Sequence, residues 1–488
     1  MSSYDINNKE VLMRNILNTL NFIAKNEKII FSSFIFLFIG ISLGLTARWG
    51  LLGQIAMVDQ YNLTGNFYPN PLNQMIKGLS LYFPGIPILM SFIVKILPST
   101  YLLEFFHLMA IIFTAGFILR LNSIHNSISQ TDNKVTILYF LVLISFLGRE
   151  WLFYSLELKT DTIAYLWGTF FWFKLVRMEK IKGNVFKAIF FGGAMGLGIV
   201  FKQQYISFII GVFIFSVLNG NSTYIISALS SILISFIIIT VIYFNDFAWY
   251  WTITISIDDG LMGMNKWLQL NYKFLIKIFA VSYILFVLQR SKLKPIKLIL
   301  KKIISNIKID PWFIPLFLAS GASFLGGLKQ GGNAGNFSLS IILLSPYLVY
   351  FFNDINKKYL IIWVWIGFIL FLPFTIQGLD KYKTDLLLRE KAILYIPTEA
   401  KYILTGSNVY NSVRPFLHSA IINNYWIKKL KDNNFTCSND IFKDLLSSQK
   451  FDYFLVENEC GNKDTRFELY SYKILFVNNL GIIGKKIN

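Results

Sequence analysis

Three stretches of this sequence set ionisable side chains against long apolar runs, where a charge is costly and usually tied to function. The first is Met57 to Pro69, in which Asp59 is the only carboxylate between Arg48 and Thr100. An aromatic and proline-rich patch, Leu81–Pro87, follows it. Asp59 reads either as a general base or metal-binding carboxylate above a membrane, or as a solvated loop aspartate beside interfacial aromatics. The second stretch is Gly148 to Asp161. Glu157 and Asp161 are spaced i, i+4, which puts them on one face of a helix. Arg149 and Lys159 lie close enough in sequence to hold a phosphate; the plainer reading is a solvated helix start. The third is Phe201-Lys-Gln-Gln-Tyr205, with Lys202 and Gln203 between two apolar runs and almost no loop. A lysine there either snorkels to headgroups or binds an anion. The later segment Gly327–Asn336 carries Lys329, Asn333 and Asn336 among glycines. Its backbone N–H groups suit a phosphate, and a flexible turn is the alternative.

Other chemistries have little to stand on. His107, His125 and His418 are the only histidines, which leaves Ser-His-Asp hydrolysis and histidine–metal chemistry poorly supported. No GxxxxGK[ST] phosphate loop occurs, so nothing points to ATP-driven transport by this chain alone. Cys437 and Cys460 form no CxxC or His-Cys cluster. They are expected to pair if their surroundings are oxidising.

The elements that must position these residues are membrane helices. The chain has 488 residues, of which 55% are hydrophobic and 15% charged, with a mean hydropathy of +0.53. The apolar residues come in long continuous runs, which suits helices crossing ~30 Å of hydrocarbon rather than the alternating segments of a barrel. Eleven spans are expected, near 29–47, 101–119, 135–148, 161–174, 188–201, 205–218, 223–243, 274–289, 311–326, 337–352 and 360–376. Leu79–Leu97 is apolar but broken by Pro84, Pro87 and Lys95. Counting it as a span would put the densest basic loop, Arg290–Lys308, outside, against the positive-inside rule. It is therefore read as an interfacial helix within a large first outer loop, 48–100. Residues 1–28 form a cytoplasmic segment and not a cleavable signal. Residues 29–376 form the transmembrane domain, and 377–488 a small external α/β domain with a strand at Phe451–Glu457 and β-prone stretches at Asn408–Tyr410 and Tyr470–Val477. The net charge of +19 sits mostly in short loops, which fits orientation in the plasma (inner) membrane and contact with anionic lipids, not nucleic acid.

In order and local pattern, residues 29–376 resemble the GT-C superfamily of membrane glycosyltransferases. The likeness is to the protein O-mannosyltransferase, aminoarabinose transferase and lipopolysaccharide galacturonosyltransferase-like group. The large first loop with interfacial helices is resembled by Asp59 to Pro87. The acid that opens the span after the second outer loop is resembled by Leu158-Lys-Thr-Asp161. The glycine-rich span ending in lysine is resembled by Gly192 to Gln203, and a late Lys-Gly…Asn segment by Lys329 to Asn336. One departure stands out: the place of the family's first-loop acid holds Gly50, with Arg48 nearby, and Asp59 stands in from a shifted position.

The resemblance implies transfer of a sugar from a polyprenyl-phosphate donor to a cell-envelope lipid, glycan or protein at the external face. A carboxylate, Asp59 or Asp161 with Glu157 beside it, deprotonates the acceptor. Arg149, Lys202, Gln203, Lys329, Asn333 and Asn336 hold the donor phosphate. A divalent cation is compatible with this chemistry. Two other readings compete. A lipid transporter or flippase would also use buried cations, although no repeat with matched broken helices is present. A catalytically inactive GT-C-like partner protein is consistent with Gly50.

Overall fold

The computed structural model describes residues 83–96, 102–129, 160–178, 185–245, 310–328, 334–351, 402–405, 452–457, 471–478 and 481–487, with scattered positions at 18, 58–68, 247–252 and 369–397. The expected spans near 29–47, 135–148 and 274–289, the loop Arg290–Lys308 and both cysteines lie outside the described residues, as does nearly all of 360–376.

Helix α1, Gly85–Ile96, has 12 residues. At 1.5 Å per residue it is about 18 Å long, too short to cross a bilayer, which suits the interfacial reading. Helices α2, Leu102–Ser129, and α3, Thr160–Met178, run in the same direction. Gly116 faces Leu166, and further along Arg120 reaches the rings of Phe170 and Phe173. Helix α4, Val185–Gly196, returns antiparallel to α3: Trp167 Nε1 donates to the Ala194 carbonyl at 2.6 Å, and Phe171 meets Phe191. After a break the chain descends again in α5, Ile206–Asn219, beside α3, where Tyr165 meets Tyr205 and Trp172 meets Phe215.

Helix α6, Ser222–Tyr243, begins with Asn221 as its cap, whose side chain accepts from the Thr223 N–H at 2.9 Å. It packs parallel to α4 through small residues. A Cβ on Gly192 would lie 2.1 Å from the Ser227 carbonyl oxygen, and one on Gly196 would lie 2.5 Å from that of Ser231. Ser235 Oγ also donates to the Gly196 carbonyl at 3.1 Å. Close backbone approach of this kind is how helices associate where apolar burial gives no drive. The faces of α6 are inverted relative to a soluble protein. Ser227, Ser231 and Ser235 are buried, whereas Leu229, Leu233, Phe236 and Val241 are exposed. Among the described residues, Leu108–Ile128 and Ser222–Tyr243 are long and apolar enough to cross a membrane.

Helix α7, Phe313–Leu328, rises against α5, with Pro315 on Gly211 and Gly326 beside Gln204. Helix α8, Ala334–Leu343, descends against α7, where Ser320 Oγ donates to the Ser340 carbonyl at 2.9 Å. The expected span 337–352 is in fact two helices. It breaks at Leu344, just before Ser345-Pro346, and α9 is Ser345–Phe351. Pro346 has no N–H to donate to the Ile342 carbonyl and its ring crowds that carbonyl, so the helix cannot run on through it unbroken.

The C-terminal strands β1, Tyr402–Thr405, β2, Tyr453–Glu457, β3, Tyr472–Val477, and β4, Gly481–Lys486, form one sheet in the order β1-β2-β4-β3. β1 and β2 are parallel; β4 is antiparallel to both its neighbours, with a bulge between Ile474 and Phe476 on β3. The sequence reading located β2 and β3 and missed β1 and β4. The β-prone stretch at 408–410 lies outside the described residues. Tyr453 and Ile483 of the sheet share a buried cluster with Val58, Ile86, Phe106 and Ile163. The sheet therefore sits at the end of the bundle where α3 begins.

Candidate functional site

The break between α4 and α5 builds the site. The last turn of α4 tightens into a 3₁₀ turn, Leu197–Val200, and a second 3₁₀ turn, Gln203–Tyr205, opens α5. Between them Lys202 is extended, with φ −153° and ψ 124°. The helix cannot continue through it, and its side chain is thrown sideways toward the start of α3. There Lys202 Nζ donates to Asp161 Oδ2 at 3.2 Å. Both residues are buried, Lys202 at 4% exposure and Asp161 at 8%. Asp161 occupies the first turn of α3, where the helix dipole favours a negative charge. Its second oxygen, Oδ1, is buried and makes no hydrogen bond among the described residues.

Two tyrosines wall this pair. Tyr165, one turn after Asp161, faces its carboxylate together with Ser207 and Ser323. Tyr205 meets Tyr165 edge to face, stacks on Phe208, and donates from its hydroxyl to the Met195 carbonyl at 3.1 Å. Both are fully buried, so the floor beneath the ion pair is rigid and aromatic.

The chain before α2 converges on the same end. A Cβ on Gly85 would lie 2.7 Å from Phe201 Cδ1 and 2.8 Å from the Val200 carbonyl oxygen, so glycine is what lets α1 begin against the break that carries Lys202. Phe83 meets Tyr243 edge to face at the end of α6. Asn66 accepts from the Asn245 side-chain amide. Burial, reinforced by the neighbouring Tyr243 phenol, pushes the Tyr68 phenol above its ordinary range.

The sequence-predicted residues divide as follows. Asp161 and Lys202 are in contact. Gln203 follows Lys202 on the 3₁₀ turn and is half-buried. Asn336 lies on α8, and its Nδ2 donates to the Gly326 carbonyl at 3.4 Å. Gly326 in turn lies beside Gln204, so the end of α7 and the start of α8 lie at the Lys202 end. Asp59, Arg149, Glu157, Lys329 and Asn333 lie outside the described residues. Val58, next to Asp59 in sequence, is buried in the cluster that contains Ile163. Sequence reasoning did not single out Gly85, Tyr165, Gln204 or Tyr205 as site residues. Gln204 and Tyr205 were visible as neighbours of Lys202, whereas Tyr165 had only its i+4 spacing from Asp161. Among the described residues no three His, Cys, Asp or Glu side chains come together in a group suited to a metal.

Chemically, the pair offers a buried cation that an anion can engage and a carboxylate with one oxygen left over. No protein-family profile and no curated protein sequence matches the chain. Solved structures do. ArnT from Cupriavidus metallidurans bound to undecaprenyl phosphate is similar with a TM-score of 0.59 at 9% identity, covering 93% of this chain and 96% of that one. ArnT from the same organism in the apo state gives 0.53 at 9% identity, with the same coverage. The chain shares the fold of these two ArnT structures.

Proposed function

We propose that this chain is an integral-membrane glycosyltransferase that moves a sugar from a polyprenyl-phosphate donor to a hydroxyl of a cell-envelope lipid, glycan or protein at the external face. The observation that carries the reading is the buried Lys202–Asp161 pair at the broken end of a helix bundle that shares the fold of ArnT. The undecaprenyl phosphate held by ArnT supports the class of donor. The inverted faces of α6 support a lipid surround.

In this reaction the acceptor oxygen forms a bond to the anomeric carbon as the bond from that carbon to the phosphate oxygen breaks. The electron pair leaves on the polyprenyl phosphate, and the acceptor proton passes to a carboxylate. Lys202 takes up the phosphate charge that develops on the leaving group. Asp161 offers Oδ1 for the proton while Oδ2 holds Lys202 in place, and Glu157 and Asp59 are the further carboxylates of the first two outer loops. Arg149, Gln203, Lys329, Asn333 and Asn336 complete the phosphate cradle. A divalent cation, if the reaction uses one, would share Asp161 with these carboxylates.

The test is a transfer assay on the purified protein in liposomes, with polyprenyl-phosphate donors carrying labelled sugars. Release of polyprenyl phosphate together with a labelled acceptor is expected. Movement of intact donor across the bilayer without release would instead identify a flippase. Neither release nor movement across a panel of donors would leave the inactive-partner reading in place.

A further inference from the structure

Toward the far end of α3 from Asp161, three cations gather with no acid paired to them among the described residues. Arg120 of α2 lies with its Cζ 4.6 Å from the centre of the Phe173 ring and 5.2 Å from that of Phe170. Arg177 lies over the same Phe173 ring at 4.3 Å, and Lys174 Nζ is 5.6 Å from Phe170. Phe170, Phe173, Lys174 and Arg177 follow helical spacing, so they share one face of α3. Arg120 Nε is buried and has no hydrogen-bond partner among the described residues. Among those residues no carboxylate pairs with any of the three. Asp310 lies on the same side, since Trp312, two residues on from it, meets Phe173. Its oxygens are already engaged, accepting from the Trp312 N–H at 2.9 Å and from the Tyr347 hydroxyl at 2.7 Å.

Two guanidinium groups on one aromatic ring repel each other. The arrangement is relieved when an anion sits between them, and arginine suits phosphate oxygens in particular. The rim is apolar: Leu119 is 46% exposed and Phe170 38%. An anion bound here therefore carries acyl chains against the protein more readily than it sits in water. Phe170 and Arg177 lie about 14 and 24 Å along α3 from Asp161, so the cluster takes no part in the transfer chemistry.

We propose that Arg120, Lys174 and Arg177 form a binding site for the phosphate headgroup of an anionic phospholipid, in the leaflet opposite the Lys202–Asp161 pair. The proposal rests on the chain spanning a membrane and is independent of sugar transfer.

The test uses the full chain in detergent, with lipid binding followed by native mass spectrometry. Phosphatidylglycerol is compared with phosphatidylcholine, and inorganic phosphate is added as a competitor. Phosphatidylglycerol should bind more tightly than phosphatidylcholine. Arg177→Gln and Lys174→Gln, both on exposed side chains that should leave folding intact, should each weaken it about fivefold. The triple change with Arg120→Gln should weaken it about a hundredfold. Lys473→Gln, an exposed change on β3, serves as the charge control and should have no effect. Equal binding by the single variants and the parent would overturn the site. Full displacement by inorganic phosphate would overturn a lipid as its source. Release of the chain from membranes by alkaline carbonate would overturn the membrane reading beneath the proposal, a result separate from either of the others. Arg177→Gln should leave sugar transfer unchanged, so a failure of this site and a failure of the transfer reaction are read by different assays.

Discussion

Lys202 Nζ and Asp161 Oδ2 lie 3.2 Å apart, joining the break before α5 to the first turn of α3 across 41 positions of sequence. Both side chains are out of solvent. Each ion is tolerable there because of the other, so the pair is a structural joint as well as a candidate centre. Asp161→Leu should destabilise the protein by about 3–5 kcal/mol, since it strands a buried ammonium. Asp161→Leu with Lys202→Met should recover much of that loss. Thermal melting of the parent chain and these two variants in one detergent checks it, and equal loss in the single and double variants would contradict the coupling.

Catalysis gives a different pattern. Asp161→Asn keeps the shape and a hydrogen bond to Lys202 but removes the base. Turnover should fall about a hundred- to ten-thousand-fold with expression intact. Full activity of Asp161→Asn would shift the base to Asp59.

Glycine at position 85 is expected to be a requirement of the site more than of the fold. Gly85→Ala pushes a methyl into Phe201 and the Val200 carbonyl, which separates α1 from the Lys202 break. Activity should fall at least tenfold while the loss of stability stays within about 1–3 kcal/mol. Parallel melting curves and transfer rates separate the two effects.

Asp310 sets a pH dependence outside the candidate site. Burial holds its carboxyl above the ordinary range, opposed by the Trp312 N–H and the Tyr347 hydroxyl. The native state therefore favours the protonated acid. That contribution to stability is complete below about pH 4, the unfolded value, and is lost as pH rises through the raised native value. Asp310→Asn should flatten this part of the stability profile, since the amide does not titrate while its oxygen can still accept from the Trp312 N–H and its NH2 can donate to the Tyr347 oxygen. A profile unchanged by the substitution would remove Asp310 as its source.

The sequence was informative where a single residue violates its surroundings. A lysine between two apolar runs marked the break at 202, and an acid at the start of an apolar run marked 161. Their contact was not legible, because nothing in a linear pattern says that α3 and the α4–α5 break lie side by side. The aromatic floor was hidden for a related reason: Tyr165 and Tyr205 look like any other apolar helix residues until their rings meet. Pro346 is the one local signal for the helix break at 344, and the continuous hydropathy of 337–352 masks it. β4 escaped because Gly-Ile-Ile-Gly-Lys-Lys is short and holds two glycines, and only pairing with β2 and β3 makes it a strand.

Whether Lys202 receives the phosphate of a polyprenyl carrier is read from undecaprenyl phosphate binding to the purified chain and its Lys202 variants. Lys202→Ala removes a charge-assisted contact worth about 1.5–3 kcal/mol. The dissociation constant should therefore rise about 10- to 150-fold, and Lys202→Arg should recover part of the loss because it keeps the charge with altered geometry. Equal affinity of the parent chain and a folded Lys202→Ala variant for undecaprenyl phosphate would contradict the assignment.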